Sequence, residues 1–138
     1  MHYKHSKIMQ EQIEFYQKKL SYEMDPSDLY DMFQNSTDYI AVDTRKPIGY
    51  NKEHIPSAIN LPHREMTEQK TQHLDKSKIY VCYCDGIGCN ASTKGALKMT
   101  QLGFKVIELI GGIEWWKFDG YDTEGTNPTQ GSTFVCAC

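Results

Sequence analysis

Several features that would place this chain in a well-defined class are missing from it. No apolar run approaches the roughly 20 residues of a membrane-spanning helix, so we expect no membrane contact. Positive charge is not in excess either, since lysine and arginine number 15 against 18 aspartates and glutamates, for a net charge of −3. Proteins that bind nucleic acids are usually basic, and this balance therefore argues against a nucleic-acid partner.

The amino terminus also lacks the apolar block of a secretory signal. Residues 1–7 are polar or charged apart from the first methionine and one tyrosine, and glutamine and glutamate soon follow. The predicted compartment is therefore the cytoplasm. The length of 138 residues fits one domain that can bury a core without disulfides or a metal.

Cysteine is absent from the first 81 residues, and the five cysteines that follow are clustered. They are Cys82, Cys84, Cys89, Cys136 and Cys138. In a reducing cytosol, an odd and clustered set favours reactive thiols or metal ligands over structural disulfides. Of these two readings we favour reactive thiols, and we expect neither a cofactor nor a resident metal ion.

Apolar patterning predicts helices that alternate with short strands. Helices are expected at 8–20, 26–35, 64–74, 91–102 and 113–118, and strands at 21–24, 39–42, 58–61, 79–83 and 104–109. This alternation is typical of an α/β fold with a parallel sheet that helices cover on both faces. The helix within residues 1–20 precedes that unit, and its apolar stripe could pack on its own domain or on a second copy in a homodimer.

Cys84 has the best setting for chemistry. It directly follows the strongest predicted strand, at the sheet edge where ligands of such folds bind. A thiolate there is favoured by backbone N–H groups and by the positive end of the next helix. Gly86 and Gly88 would let the loop curl so that several N–H groups converge on one anion.

Four motifs occur in one order along residues 20–122. They are Asp43-Thr44-Arg45, the segment 53–61 around His54, the strand 79–84 that ends in Tyr-Cys, and 102–104 with 111–116 (Leu-Gly-Phe and Gly-Gly-Ile-Glu-Trp-Trp). Together they resemble the single-domain rhodaneses, sulfurtransferases that carry a persulfide on one cysteine. The resemblance implies a rhodanese-like domain at 21–122 with a five-stranded parallel sheet, and a tail at 123–138.

The resemblance also implies roles for individual residues. Cys84 is the implied sulfur acceptor and catalytic residue. The residues implied to bind substrate are those of the loop that follows it: Asp85, Gly86, Ile87, Gly88, Cys89 and Asn90. Asp43 and Arg45 are expected to form a partly buried ion pair that orders the loops, and His54 to fix its own loop by a hydrogen bond. The implied partners are a small sulfane-sulfur donor or a persulfidated protein, and a thiol acceptor.

The loop departs from the family pattern in its length and its charge. It is about two residues longer than the common Cys-x-x-Gly-x-Arg loop, and it contains neither arginine nor lysine. A phosphatase of this fold needs an arginine to hold a tetrahedral dianion, so phosphatase activity is not expected. Because Asp85 would also repel a dianion, we expect a neutral or protein-bound donor rather than thiosulfate.

Three further cysteines extend the chemistry that Cys84 could perform. Cys89 could resolve a persulfide or sulfenic acid on Cys84, and Cys136 and Cys138 could act as a resolving pair or a metal-binding arm. Cys82 is expected in the core. The alternatives to a sulfurtransferase are therefore a thiol-redox protein that uses Cys84 and Cys89, or a non-catalytic module that binds a partner or a metal.

Overall fold

The computed structural model describes residues 2–132, with side chains from residue 6 onward. The helices are α1 (His2–Tyr22), α2 (Pro26–Asn35), α3 (Pro47–Lys52), α4 (Glu68–Thr71), α5 (Ala91–Gln101) and α6 (Gly112–Phe118). The strands are β1 (Glu23–Met24), β2 (Tyr39–Asp43), β3 (Ile59–Asn60), β4 (Ile79–Tyr83) and β5 (Lys105–Leu109).

The five strands form one parallel sheet in the order β1-β5-β4-β2-β3, which confirms the predicted sheet. The central position of β4 follows from its sequence, because a strand that is buried on both faces is apolar throughout. Asp43 at the end of β2 lies in register with Tyr83 at the end of β4. The residues that follow these two strands therefore emerge side by side at one edge of the sheet.

Two apolar cores lie on opposite faces of the sheet. Val81 and Tyr83 point into the core that contains Leu29 and Trp116. Tyr80 and Cys82 point into the other core, with Met99 of α5. This division follows from the alternation of side chains along a strand, and it requires helices on both faces.

Local sequence explains most helix boundaries. Asp25 caps α2 by accepting a hydrogen bond from the Asp28 N–H, and Pro26 occupies a first-turn position where its missing N–H costs nothing.

Three elements predicted from the sequence differ in length or type from those in the structure. The helix expected at 64–74 is instead a 3-10 turn at His63–Glu65 followed by the single turn of α4. Helix α3 lies in a region that was expected to be a loop. Helix α1 continues to Tyr22, so β1 has only two residues.

The first helix contributes almost nothing to the cores. Every residue of α1 from Ser6 to Tyr22 is exposed, and Leu20 is 81% exposed. Burial of the apolar stripe against its own domain is therefore not observed, and the homodimer remains a prediction. Among the residues that the structure describes, no helix combines the length and the apolar character that crossing a membrane requires.

The segment that follows the expected domain boundary is bonded to the domain. Glu124 and His54 exchange two backbone hydrogen bonds, and Thr123 is buried, with its hydroxyl donating to Glu53. The beginning of the expected tail therefore packs on the loop that precedes β3. Cys136 and Cys138, predicted as further resolving thiols, lie outside the described residues.

Candidate active site

Cys84 lies directly after β4 and is only 2% exposed. Its backbone is held from the side by the first turn of α6. The Ile113 N–H donates to the Cys84 carbonyl at 3.0 Å, and the Glu114 N–H donates to the Asp85 carbonyl at 2.9 Å. The start of the loop is thus fixed by a helix that is distant in the sequence.

This close approach depends on Gly111 and Gly112. Both have positive φ angles, 82° and 61°, which glycine adopts without strain. A Cβ at Gly112 would collide with the carbonyl of Cys84 and the backbone of Asp85. Gly86 and Gly88, which were expected to let the loop curl around an anion, do not have positive φ angles.

Cys84 and Cys89 are joined by a disulfide, with their Cα atoms 6.2 Å apart. The Cys89 N–H donates to the Gly86 carbonyl at 3.2 Å, so the intervening residues form a tight turn. The sequence predicted that Cys89 could resolve chemistry on Cys84, and the structure brings the two sulfurs together. Together with Asp85 these residues place three metal-ligand atoms within 4.8 Å, but a disulfide offers no thiolates to a metal ion.

Arg45 connects three segments around the loop. Its guanidinium donates to Asp43 at 2.7 Å, to the Glu53 carbonyl, and to Asp85 at 3.1 Å. Burial lowers the pKa of Arg45, but hydrogen bonds and attraction from Asp43 outweigh burial and raise it overall. The predicted ion pair between Asp43 and Arg45 therefore forms, and it also holds the exposed carboxylate of Asp85.

Tyr83 completes this network from within β4. Its hydroxyl donates to the buried Asp43 carboxylate at 2.8 Å and accepts from the Ile55 N–H at 3.0 Å. Burial and the negative charge of Asp43 raise the pKa of Tyr83, so the phenol stays protonated. These hydrogen bonds thus connect β2, β4 and the segment before β3 next to Cys84.

A cleft with a basic rim opens on one side of the disulfide. Its volume is about 240 Å³, and Cys84 and Cys89 line it together with Lys46, His63 and Arg64. Within the described residues, neither Lys46 nor Arg64 forms an ion pair. We call this space the basic cleft. The sequence analysis missed these three residues, although the parallel sheet brings the segments after β2 and β3 to the edge where Cys84 lies.

His63 lines the basic cleft and is half-buried. Its Nδ1 atom is buried and has no hydrogen-bond partner among the described residues. Burial lowers the pKa of His63, and the positive charges of Lys98, Lys94 and Arg64 lower it further. The neutral imidazole is therefore favoured at physiological pH, in part because the rim of the cleft is positive.

A second cleft, of about 220 Å³, lies on the other side of the disulfide. Glu108 of β5 lines it and accepts hydrogen bonds from the hydroxyls of Ser92 and Thr93 in the first turn of α5. A carboxylate near a helix amino terminus is stabilised by the helix dipole. The positive end of α5 thus interacts with Glu108, and Asn90 makes no side-chain cap.

Two further residues singled out in the sequence are His54, which lies outside both clefts beside the disulfide, and Cys82, which is unreactive. His54 bonds through Nδ1 to the Tyr50 carbonyl at 2.7 Å and stacks on the Tyr50 ring, and it lines neither cleft beside the disulfide. Cys82 is fully buried as expected, and burial, with a contribution from Glu108, raises its pKa to about 12. A thiol with so high a pKa is not a nucleophile at neutral pH.

Comparisons with known proteins match this arrangement. Residues 25–119 match the family described as Rhodanese-like domain. The chain belongs to the rhodanese-like family. The crystal structure of the BH2092 protein from Bacillus halodurans superposes with a TM-score of 0.83 at 42% identity, covering 93% of this chain and 94% of that one.

This chain matches two curated relatives over very different shares of their length. "Thiosulfate sulfurtransferase GlpE" from Coxiella burnetii is 37% identical over 82 residues, which are 58% of this chain and 73% of that protein. "Probable molybdopterin-synthase adenylyltransferase" from Porphyra purpurea is 30% identical over 87 residues, or 62% of this chain, and the match spans only 22% of that protein. The match therefore covers most of the first relative and only about a fifth of the second.

The contact between Gly112 and the Cys84 carbonyl predicts a contrast between two glycine substitutions. Gly112→Ala should lower the free energy of unfolding by about 1–3 kcal/mol, because alanine at a positive φ is strained and its Cβ meets backbone. Gly88→Ala should change it by less than about 0.5 kcal/mol, since nothing lies within 4 Å of the added Cβ. Denaturant unfolding measures both, and equal losses would contradict the close approach.

Proposed function

We propose that this chain is a sulfurtransferase that carries sulfane sulfur as a persulfide on Cys84. The observation that carries the proposal is the position of Cys84 at the carboxyl end of the central strand, where it is among the residues that line both clefts. Family membership supports sulfur transfer in general, and the persulfide on this cysteine is the specific step proposed. The disulfide must first be reduced for Cys84 to act.

The reaction consists of two displacements at sulfur. The Cys84 thiolate attacks the sulfane sulfur of a donor, a new S–S bond forms, and the remainder of the donor leaves with the electron pair of the broken bond. An acceptor thiolate then attacks the outer sulfur of Cys84–S–SH, and Cys84 leaves as the thiolate. Neither step requires a cofactor, because the sulfur atom moves at its existing oxidation level.

The arrangement of charges in the folded site alters the prediction about the charge of the sulfur donor. The expectation of a neutral or protein-bound donor came from a loop without arginine or lysine, but Lys46 and Arg64 supply positive charge from outside the loop. Asp85, expected to repel anions, is held in an ion pair with Arg45. We therefore propose that the basic cleft accepts a small anionic donor, a class to which thiosulfate belongs.

Replacement of Cys84 should abolish sulfur transfer. In a thiosulfate-to-thiol assay on reduced protein, Cys84→Ser should fall to the rate without enzyme, because serine does not form a persulfide. The double variant Cys136→Ser/Cys138→Ser removes the two further thiols that the sequence predicted as resolving residues. It separates their role from that of Cys84 and should keep the rate, because the sulfur is carried on Cys84. Transfer retained by Cys84→Ser would contradict the assignment.

The positive rim of the basic cleft should affect donors according to their charge. Lys46→Gln and Arg64→Gln should each raise KM for thiosulfate about 2–5-fold, or about 0.4–1 kcal/mol, which lies within the range typical of an exposed charge interaction. KM for an uncharged organic trisulfide should not change. Lys18→Gln on α1 is the control for net charge alone. An equal effect of all three substitutions on thiosulfate would show that the cleft does not bind the donor.

A second candidate is thiol–disulfide exchange without sulfur transfer, and the Cys84–Cys89 disulfide favours it. In that case the pair takes two electrons from a dithiol substrate and passes them to a disulfide acceptor. Incubation of reduced protein with a sulfane-sulfur donor distinguishes the candidates. Only the sulfurtransferase gains a sulfur atom on the Cys89→Ser variant, in which no internal disulfide with Cys84 can form.

A further inference from the structure

We infer that the acceptor of the persulfide sulfur is built into the chain: Cys89 attacks Cys84–S–SH, forms the observed disulfide and releases hydrosulfide. This inference rests on the proposed persulfide at Cys84 and extends it to a different product. The external acceptor is then replaced by an internal thiol. The protein acts as a persulfide reductase that a dithiol must restore.

The disulfide itself identifies which sulfur Cys89 reaches. A thiolate can attack a persulfide at the outer sulfur, which moves that sulfur to the attacking cysteine, or at the inner sulfur, which gives a disulfide. The inner sulfur is the Sγ atom of Cys84, and Cys89 is bonded to that atom in this structure. The fold therefore accommodates the product of inner attack.

The loop favours this reaction by its length and closure. Its two extra residues relative to the common family loop place Cys89 five positions after Cys84, and the Cys89 N–H bond to Gly86 closes a turn between them. On its other side, the Ile113 N–H donates to the Cys84 carbonyl and restrains the backbone of Cys84. Holding two reacting groups in place raises their effective concentration greatly.

The step balances in atoms and electrons. The equation is Cys84–S–SH + Cys89–S⁻ → Cys84–S–S–Cys89 + HS⁻. The bond between the Cys84 sulfur and the outer sulfur breaks, and its electron pair leaves with the outer sulfur. The sulfane sulfur is thus reduced by two electrons to hydrosulfide, while the two cysteine thiols are oxidised to the disulfide. A dithiol then supplies two electrons and two protons to regenerate the reduced pair.

The charges around the pair suit an anionic leaving group. Both cysteines line the basic cleft. The Asp85 carboxylate in this cleft is paired with Arg45, whereas Lys46 and Arg64 form no ion pairs within the described part of the chain. An exposed positive charge near the developing hydrosulfide stabilises it more than it stabilises the neutral protonated persulfide. On the opposite side, the carboxylate of Glu108 disfavours an anion, so we expect hydrosulfide to leave through the basic cleft.

The test is a single turnover without any external thiol. Reduced protein is freed of reductant and mixed with one equivalent of thiosulfate, and hydrosulfide is trapped and quantified while free thiols are counted. The native chain should release one hydrosulfide and lose two thiols per chain. Cys89→Ser and, as a second variant, Cys89→Ala should release none above the Cys84→Ser background but keep a sulfur that added thiol removes.

Controls separate this inference from the proposed function. The double variant Cys136→Ser/Cys138→Ser tests the two further thiols that the sequence predicted as resolving residues. Release of hydrosulfide at the native level supports Cys89 as the resolving thiol, and loss of release would overturn the inference. If the Cys89 variants carry the persulfide and release as much hydrosulfide as the native chain, the inference is overturned while the proposed function stands. If neither the native chain nor a folded Cys89 variant takes up sulfur or releases hydrosulfide, both fail.

Discussion

The buried carboxylate of Asp43 is the interaction on which the site depends. It is 0% exposed, and an unpaired charge at that depth would cost several kcal/mol. Arg45 and the Tyr83 hydroxyl satisfy it, and these partners in turn hold the Glu53 carbonyl, the Ile55 N–H and Asp85. One charge therefore fixes the end of β2, the end of β4 and the segment before β3 at the same edge of the sheet.

The reactive loop is positioned from two sides by different physical means. On one side the charge network reaches it through Asp85, whose carboxylate is paired rather than free to repel an anion. On the other side α6 approaches so closely that only glycine fits at position 112. The thiol chemistry proposed for Cys84 therefore has a backbone that is held from both sides.

Much of this arrangement could be predicted from the sequence because it is encoded locally. The five strands, the cap of α2 by Asp25 and the position of Cys84 after β4 follow from apolar patterning and turn residues. Lys46, His63 and Arg64 could not be assigned to the site in this way, because their relation to Cys84 depends on strand order and register. The conformations of Gly111 and Gly112 likewise depend on packing between distant segments, as does the pairing of Asp85 with Arg45.

Sulfur transfer and thiol redox chemistry are consistent with one another in this site. The proposed persulfide on Cys84 and the disulfide to Cys89 both use the same inner sulfur, so the proposal makes them successive states of one pair. The most direct test of the account is the location of sulfur after reduced Cys89→Ser is treated with thiosulfate. Mass spectrometry of its proteolytic peptides should place one additional sulfur atom on Cys84, removable by reductant. Sulfur located on another cysteine, or on none, would contradict it.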